Sequence, residues 1–239
     1  EAVVAVLRGD WLTTGPSVDA FEAAISEVAG SYATAVTSGT AALHVAYKSA
    51  GIGLGDEIIT PPITFIATQA TAMALGAGIK FADVQSDTGN IDPNAVESLI
   101  TPRTKAVVAV DYAGHPAELD ELRSISDRHG LILIEDAAHS IGSLYRNRKV
   151  GAIADLTTFS FFPTKNVTTG EGGAVASPSA QLTERARAFR NHGLVRDRSL
   201  FQIQDEGPWH QEVHEFGLNY RLPDILAALG TSQLRRLAQ

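Results

Sequence analysis

The feature that most constrains this chain is an alternation of short, wholly apolar segments with amphipathic ones. Lys105–Asp111 and Leu131–Glu135 carry continuous apolar runs, and Leu156–Phe161 and Gly173–Ala176 read as further buried strands. Strands of this kind are covered on both faces, the condition of a mainly parallel sheet flanked by helices. Ala33–Thr37, Glu57–Thr60 and Ile79–Val84 complete the strand set. Between them, Val18–Val28 places Phe21, Ala24, Ile25 and Val28 on one helical face, with Ser17 as the expected N-cap and Gly30 as the stop. Further helices are expected at Thr40–Ala50, Thr64–Leu75, Pro93–Ile100, Glu118–His129, Ala180–Arg190 and Pro223–Leu237. Alternation of this type builds βαβ units, and 239 residues suffice for one large domain spanning 1–239.

Composition removes several function classes. The greasiest stretch, Ala67–Ile79, is interrupted by Gln69, Thr71, Gly76 and Gly78, so no membrane span is expected. Cysteine is absent, which excludes disulfides, zinc fingers and thiol nucleophiles and suits a reducing, cytoplasmic compartment. Lys+Arg 19 against Asp+Glu 27 gives a net charge of −8, a poor footprint for nucleic acid. The single methionine is Met73, so Glu1 is not an initiator, and the chain is expected to be part of something longer at both ends. Its apolar start, Ala2–Leu7, is too short for a signal-peptide core.

A doubly covered parallel sheet binds its ligands beyond the C-terminal ends of the strands. Four segments sit there: Thr37–Leu43, Glu135–His139, Ser160–Lys165 running on to Thr169–Gly173, and Asn219–Arg221. Ser38-Gly39-Thr40, between a strand and a helix, combines a glycine, free helix N–H groups and hydroxyls, which suits a phosphate. An ordinary N-cap with a turn glycine is the plain alternative, and no Gly-Lys-Ser/Thr follows to make a P-loop.

Asp136 ends a buried apolar run, where a carboxylate needs a cationic or hydrogen-bonded partner. A protonated ring nitrogen of a cofactor is one such partner, with His139 stacking on the ring or orienting the carboxylate. The rivals are a structural Asp–His pair and an Asp-x-x-His metal pair, the latter without a third ligand at recognisable spacing. Lys165 follows the aromatic stretch Phe159–Phe162 and precedes Gly170–Gly173. An isolated lysine is ordinarily a solvated surface group, but partial desolvation here lowers its pKa toward nucleophilic use. Phe65, after Pro61-Pro62, is either an aromatic cover for a ring or core packing. A phosphate cradle, a buried carboxylate and a lysine are together the three anchors of pyridoxal 5′-phosphate.

In order and over nearly the whole chain, Leu12–Pro16, Ser38–Leu43, Glu135–His139, Phe159–Phe161 with Lys165, Thr168–Gly173 and Asn219–Arg221 resemble the DegT/DnrJ/StrS family of sugar aminotransferases. The resemblance implies the large-domain fold of type I pyridoxal-phosphate enzymes, a mainly parallel mixed sheet flanked by helices, with the small C-terminal domain missing here. It implies that Lys165 forms the Schiff base and Asp136 pairs with the pyridine nitrogen. His139 would lie by the ring and Phe65 over its face. Gly39, Thr40 and Ser160 would hold the phosphate, with Ala41 in the same cofactor-binding group. Asn219 would reach the phosphate of a neighbouring subunit in a homodimer with shared active sites. No metal is implied.

Lys165 in place of the histidine of the dehydratase members points to transamination. Glutamate would be the amino donor and a nucleotide-linked ketosugar the acceptor. Trp11–Pro16 and Phe162–Lys165 look most like the branch that aminates C4 of UDP-linked 4-keto-6-deoxy sugars. A 3-keto sugar nucleotide, a non-catalytic cofactor- or sugar-nucleotide-binding relative, and a metal-dependent hydrolase using Asp136 and His139 are the alternatives. Arg185, Arg187, Arg190, Arg196 and Arg198 read as a solvated basic face, with contact to a sugar-nucleotide diphosphate as the functional alternative.

Overall fold

In a computed structural model the chain is described at residues 1–195, 197–204 and 206–237. Seven strands form one sheet: β1 (Tyr32–Val36), β2 (Glu57–Thr60), β3 (Gly78–Phe81), β4 (Thr104–Val110), β5 (Ile132–Asp136), β6 (Leu156–Ser160) and β7 (Gly173–Ser177). Their spatial order is β1-β7-β6-β5-β4-β2-β3. The run from β6 to β3 is parallel, and β7 lies antiparallel between β6 and β1. The mainly parallel mixed sheet expected from the apolar runs is therefore present. Eight helices accompany it among the described residues: α1 (Ala2–Leu7), α2 (Pro16–Ala29), α3 (Gly39–Ser49), α4 (Ala67–Ala74), α5 (Pro93–Glu97), α6 (Leu119–His129), α7 (Ala180–Arg190) and α8 (Asp224–Leu234).

The helices bury both faces of the sheet. Tyr47, Val45 and Phe189 pack with Ile58, Val108 and Ile134 on one side. On the other, Leu119, Leu122 and Ile125 cover Val107, Ala109 and Leu133, while Phe21 and Ile25 pack with Phe159 and Phe161. Strands with neighbours on both sides have no solvent face, which is why β4 and β5 are apolar at consecutive positions.

Several helix boundaries differ from the periodicity. Ser17 does not cap α2; Gly15 occupies that position, and Pro16 begins the helix with its φ already fixed. The cap comes from another helix, because the Asp224 carboxylate accepts the Gly15 N–H at 2.8 Å and the Ser17 N–H at 2.9 Å. Helix α2 ends as expected on Gly30, at φ 72°. Helix α4 starts at Ala67 rather than Thr64, since the chain turns through Pro61–Ile66 with Phe65 and Ile66 facing out. Helix α8 stops at Leu234, short of the expected Leu237.

β1 is an edge strand, and its outward backbone is covered. Glu22 accepts the Ala35 N–H at 2.9 Å, Arg190 donates to the Ala35 carbonyl at 2.7 Å, and Arg190 also pairs with Glu22. Part of the basic stretch is thereby explained as edge protection. Arg187 adds a 2.9 Å pair to Glu184, Arg185 reaches the Ser49 carbonyl at 3.4 Å, and Arg198 reaches that of Gly207 at 3.3 Å. Arg196 lies outside the described residues.

Candidate active site

All of the sequence-predicted residues except Phe65 and Asn219 lie at or just beyond the C-terminal ends of β1, β5 and β6. Ser38 caps α3 by accepting the Ala41 N–H at 3.0 Å. That engages the Ala41 donor and leaves the N–H groups of Gly39 and Thr40 unpartnered among the described residues. Ser160, at the end of β6, stands directly against Gly39. A Cβ on Gly39 would fall 2.8 Å from the Ser160 Cβ and 2.9 Å from its Oγ. The close approach is made by Gly173, which pairs with Val36 on one side and Ser160 on the other. A side chain there would overlap the Ser38 carbonyl. Gly39, Thr40 and Ser160 thus form a cradle of N–H and hydroxyl donors at a helix N-terminus, the arrangement that suits a phosphate.

Asp136 shares a face of the sheet with Ser160, because Asp136 pairs in register with Thr158, two residues before Ser160. Its Oδ2 accepts the Thr68 hydroxyl at 2.7 Å, and Oδ1 accepts the Ala138 N–H at 3.3 Å. Burial pushes the Asp136 carboxyl above its ordinary value, and the hydrogen bonds and the charges of Lys165 and His139 only partly oppose this. The carboxylate is therefore placed to gain from a further cation. Thr68, on α4, is the partner that sequence reading missed; it lies 68 residues away from Asp136 and sits in no local motif.

Lys165 is presented by the loop between β6 and β7. A turn closed by its own N–H on the Phe162 carbonyl at 2.9 Å fixes the loop, as does the Thr169 N–H on the Phe161 carbonyl at 3.0 Å. Lys165 Nζ lies 2.7 Å from His139 Nε2. Desolvation lowers the Lys165 pKa against the pull of Asp136, and desolvation followed by the Lys165 charge lowers that of His139. Asp136, His139 and Lys165 are thus one electrostatic unit. Among the described residues no third His, Asp or Glu joins Asp136 and His139 in a group that could hold a metal.

Phe65 lies on the turn before α4 and is 75% exposed, so it is not a core residue. Ile63, Ile66 and Met73 are exposed beside it. Asn219 is also exposed; its backbone pairs with Asn191, and its side-chain oxygen accepts the Arg221 N–H at 3.4 Å. Neither side chain forms a hydrogen bond with Asp136, His139 or Lys165 among the described residues.

Comparison with known proteins bears on the family and the fold. The pattern of the DegT/DnrJ/EryC1/StrS aminotransferase family matches residues 1–239. The spore coat polysaccharide biosynthesis protein SpsC of Bacillus subtilis is 41% identical over 238 residues, 99% of this chain and 61% of SpsC. The chain spans about three fifths of the length of such relatives. Helicobacter pylori PseC, described as an aminotransferase involved in the biosynthesis of pseudoaminic acid, superposes with a TM-score of 0.91 at 38% identity, covering 99% of this chain and 62% of PseC. The PLP-form of Spr1654 from Streptococcus pneumoniae, a protein described as a sugar aminotransferase, superposes with a TM-score of 0.90 at 28% identity, over 99% and 63% of the two chains. Sequence match over all 239 residues and likeness of fold place the chain in the DegT/DnrJ/EryC1/StrS aminotransferase family.

Proposed function

We propose that the protein is a pyridoxal 5′-phosphate-dependent aminotransferase that moves an amino group from glutamate to a keto carbon of a nucleotide-linked deoxysugar. The observation that carries this reading is the convergence of a buried carboxylate, Asp136, and a partly desolvated amine, Lys165, on the side of the sheet where Gly39 and Ser160 form an anion cradle. The residues fit the cofactor on their own chemistry. The cradle has room only because Gly39 lacks a Cβ, and the buried Asp136 is short of one cation.

Gly39, Thr40 and Ser160 would hold the phosphate, Asp136 the pyridine N–H, and Lys165 the carbonyl carbon. The bound cofactor supplies a carbonyl that receives the amino group and a ring that withdraws charge from the substrate carbon. Lys165 Nζ, with its pKa lowered by burial, is suited to take a proton from that carbon and return one. His139 Nε2 shares the Lys165 proton and keeps the amine oriented. Asp136, held by Thr68, would favour a positive charge at the ring nitrogen.

The same reading takes C4 of a UDP-linked 4-keto-6-deoxy sugar as the acceptor, supported by the likeness to PseC and by Trp11–Pro16 and Phe162–Lys165. It also takes a cytoplasmic homodimer as the working form. The exposed Ile63, Phe65, Ile66 and Met73 beside the site support a partner subunit there, with Asn219 free to reach the partner's phosphate and Phe65 a ring.

The test uses the full-length protein. Reconstitution with pyridoxal 5′-phosphate is expected to give a visible absorption band that glutamate bleaches. Borohydride reduction is expected to leave a cofactor-sized mass on the peptide carrying Lys165. A panel of UDP- and dTDP-linked 3- and 4-ketosugars then fixes the acceptor, with product regiochemistry read by NMR. A band without a lysine adduct, or no band, would overturn the enzymatic reading. Amination of 3-keto sugars alone would overturn the C4 assignment.

A further inference from the structure

On the face of the sheet opposite Asp136, two carboxyl groups lie side by side out of water. Asp111, just past β4, is 1% exposed, and Glu135 on β5 is 0% exposed. Ala109 pairs in register with Glu135, so Asp111, two residues on, shares the Glu135 face. The two carboxyls stand at hydrogen-bond range. Thr157 donates to Glu135 Oε2 at 2.9 Å, but the buried Oε1 has no donor among the described residues. Both Asp111 oxygens already accept: Oδ1 from the Ala117 N–H at 3.1 Å and Oδ2 from the Ser140 hydroxyl. Two ionised carboxylates are acceptors only and cannot satisfy one another, and two adjacent buried negative charges are strongly disfavoured.

We propose that Glu135 is a neutral carboxylic acid donating its Oε1 proton to the Asp111 carboxylate, and that this pair is a positioning device for the turn that carries His139. The groups facing the pair are the Thr157 hydroxyl from β6, the Ser140 hydroxyl, and the Ala117 and Gly151 N–H groups, and the negative charge of Asp136 acts on Asp111 from the other face of the sheet. Burial pushes Asp111 up to about 7 and Glu135 well above its ordinary value, with the Asp111 charge adding to the latter, so Glu135 keeps the proton.

The connection to His139 runs by two short routes. Ser140, its neighbour, gives its hydroxyl to Asp111 and closes the turn with its N–H on the Ala137 carbonyl at 3.1 Å. Gly114 donates its N–H to the Asp111 carbonyl at 3.1 Å and lies against the His139 carbonyl, where a Cβ would come within 2.8 Å of the oxygen. Moving the Asp111 carboxylate moves the Ser140 support of the His139 backbone, while Gly114 ties that backbone to the Asp111 main chain. The consequence for Lys165 rests on the function proposed above; the location of the proton does not.

Folding raises both carboxyls, so the native state binds more protons than the unfolded chain in the window between their ordinary values and the raised ones, the Glu135 proton being the last to leave. The stabilisation from that proton is complete below the window and is lost as pH rises through it. Three variants of the full-length, cofactor-free protein test the proposal. Glu135→Gln keeps an N–H donor for Asp111 and an acceptor for Thr157. It is expected to leave the melting temperature within roughly 2 °C of wild type, to flatten the fall in stability across the window, and to leave the His139 imidazole titration unchanged by NMR.

Glu135→Leu removes the donor. Asp111→Asn turns one required acceptor into a donor. Each is expected to lower the melting temperature by roughly 4 °C or more and to shift the His139 resonance. Should these two not fold, infrared difference spectra of wild type against Glu135→Gln still decide. The wild type is expected to show a carboxylic-acid C=O band at pH 7 that the variant lacks. Absence of that band, a Glu135→Gln protein as unstable as Glu135→Leu, or an Asp111→Asn protein with unchanged His139 titration would each overturn the proposal. None of these readings uses the cofactor, so a protein that fails to bind it sinks the aminotransferase assignment and leaves them standing.

Discussion

Lys165 Nζ and His139 Nε2 lie 2.7 Å apart, so a single proton serves both nitrogens. Burial acts on the two groups in the same direction, favouring the neutral form of each, and the Lys165 charge further disfavours a charged imidazole. Double protonation is thus the least favoured state of the pair, and Asp136 is the one group that pulls the other way. The sign of the coupling gives a test. Replacing Lys165 by Ala removes the largest charge opposing protonation of His139, so its titration midpoint is expected to move up. An NMR pH titration of the imidazole nitrogens in cofactor-free protein measures this directly. A midpoint that stays put or falls would show that the two side chains do not face one another in solution.

Thr68 holds Asp136 through a 2.7 Å hydrogen bond to Oδ2, and it is itself fully buried. Thr68→Val keeps the shape and removes the donor, leaving Asp136 with the longer Ala138 contact. The carboxyl is then expected to move further up and to pair less well with a ring cation. A lost hydrogen bond to a charged group costs about 1.5 kcal/mol or somewhat more, hence roughly a tenfold weaker cofactor affinity. Thr68→Ser retains the donor and is expected to bind close to normally. Absorbance titration of the apo-protein reads both; equal affinity in Val and Ser variants would remove Thr68 from the account.

Local signals in the sequence carried the strands and the strand-end motifs, and long-range contacts escaped it. β4 and β5 were legible because burial on both faces forces apolar residues at consecutive positions. Gly39, Asp136, Ser160 and Lys165 were legible because each breaks or closes such a run where loops gather. Thr68 looks like any helical threonine until the fold brings α4 to the end of β5. The same holds for Asp111 and Ser140, which meet 29 residues apart, and for Asp224, whose partners are 207 and 209 residues away. The start of α4 was misplaced because Phe65 and Ile66 suit a helical apolar face, yet both point outward.

The cradle depends on two glycines in different ways. In Gly39→Ala the new Cβ would meet the Ser160 side chain at 2.8 Å, so Ser160 has to retreat from the position where it serves the phosphate. The expected cost is about 1–3 kcal/mol of stability, together with a clear loss of affinity for inorganic phosphate and for cofactor. Gly173→Ala instead drives a methyl group into the backbone of Ser38, which cannot turn aside, and should be the more damaging of the two. Gly170→Ala is the control: nothing lies near its Cβ, but its φ of 81° costs about 1 kcal/mol. Denaturant unfolding ranks the three. The order Gly173, Gly39, Gly170 is expected, and a Gly39→Ala protein that binds phosphate normally would discount the cradle.

Asp224 joins the two ends of the described chain. It is fully buried at the start of α8, and its two oxygens take the N–H groups of Gly15 and Ser17, which open α2. Free N–H groups at a helix start are strongly served by a carboxylate, here one borrowed from a different helix because Pro16 and Gly15 offer no side-chain acceptor. Asp224→Ala leaves the buried Gly15 donor and the half-buried Ser17 donor without this partner and opens a small void beside Trp11, whose side chain packs against Gly15. A loss of about 3 kcal/mol is expected, which for a domain of this size is a fall of roughly 6–12 °C in melting temperature. Asp224→Asn keeps one acceptor and should lose about half as much. Because Asp224 touches none of Asp136, His139 or Lys165, the cofactor spectrum of the folded variant is expected to match wild type. Calorimetry paired with that spectrum separates the two effects: a stable Ala variant, or one with an altered spectrum, would contradict the role assigned to this carboxylate.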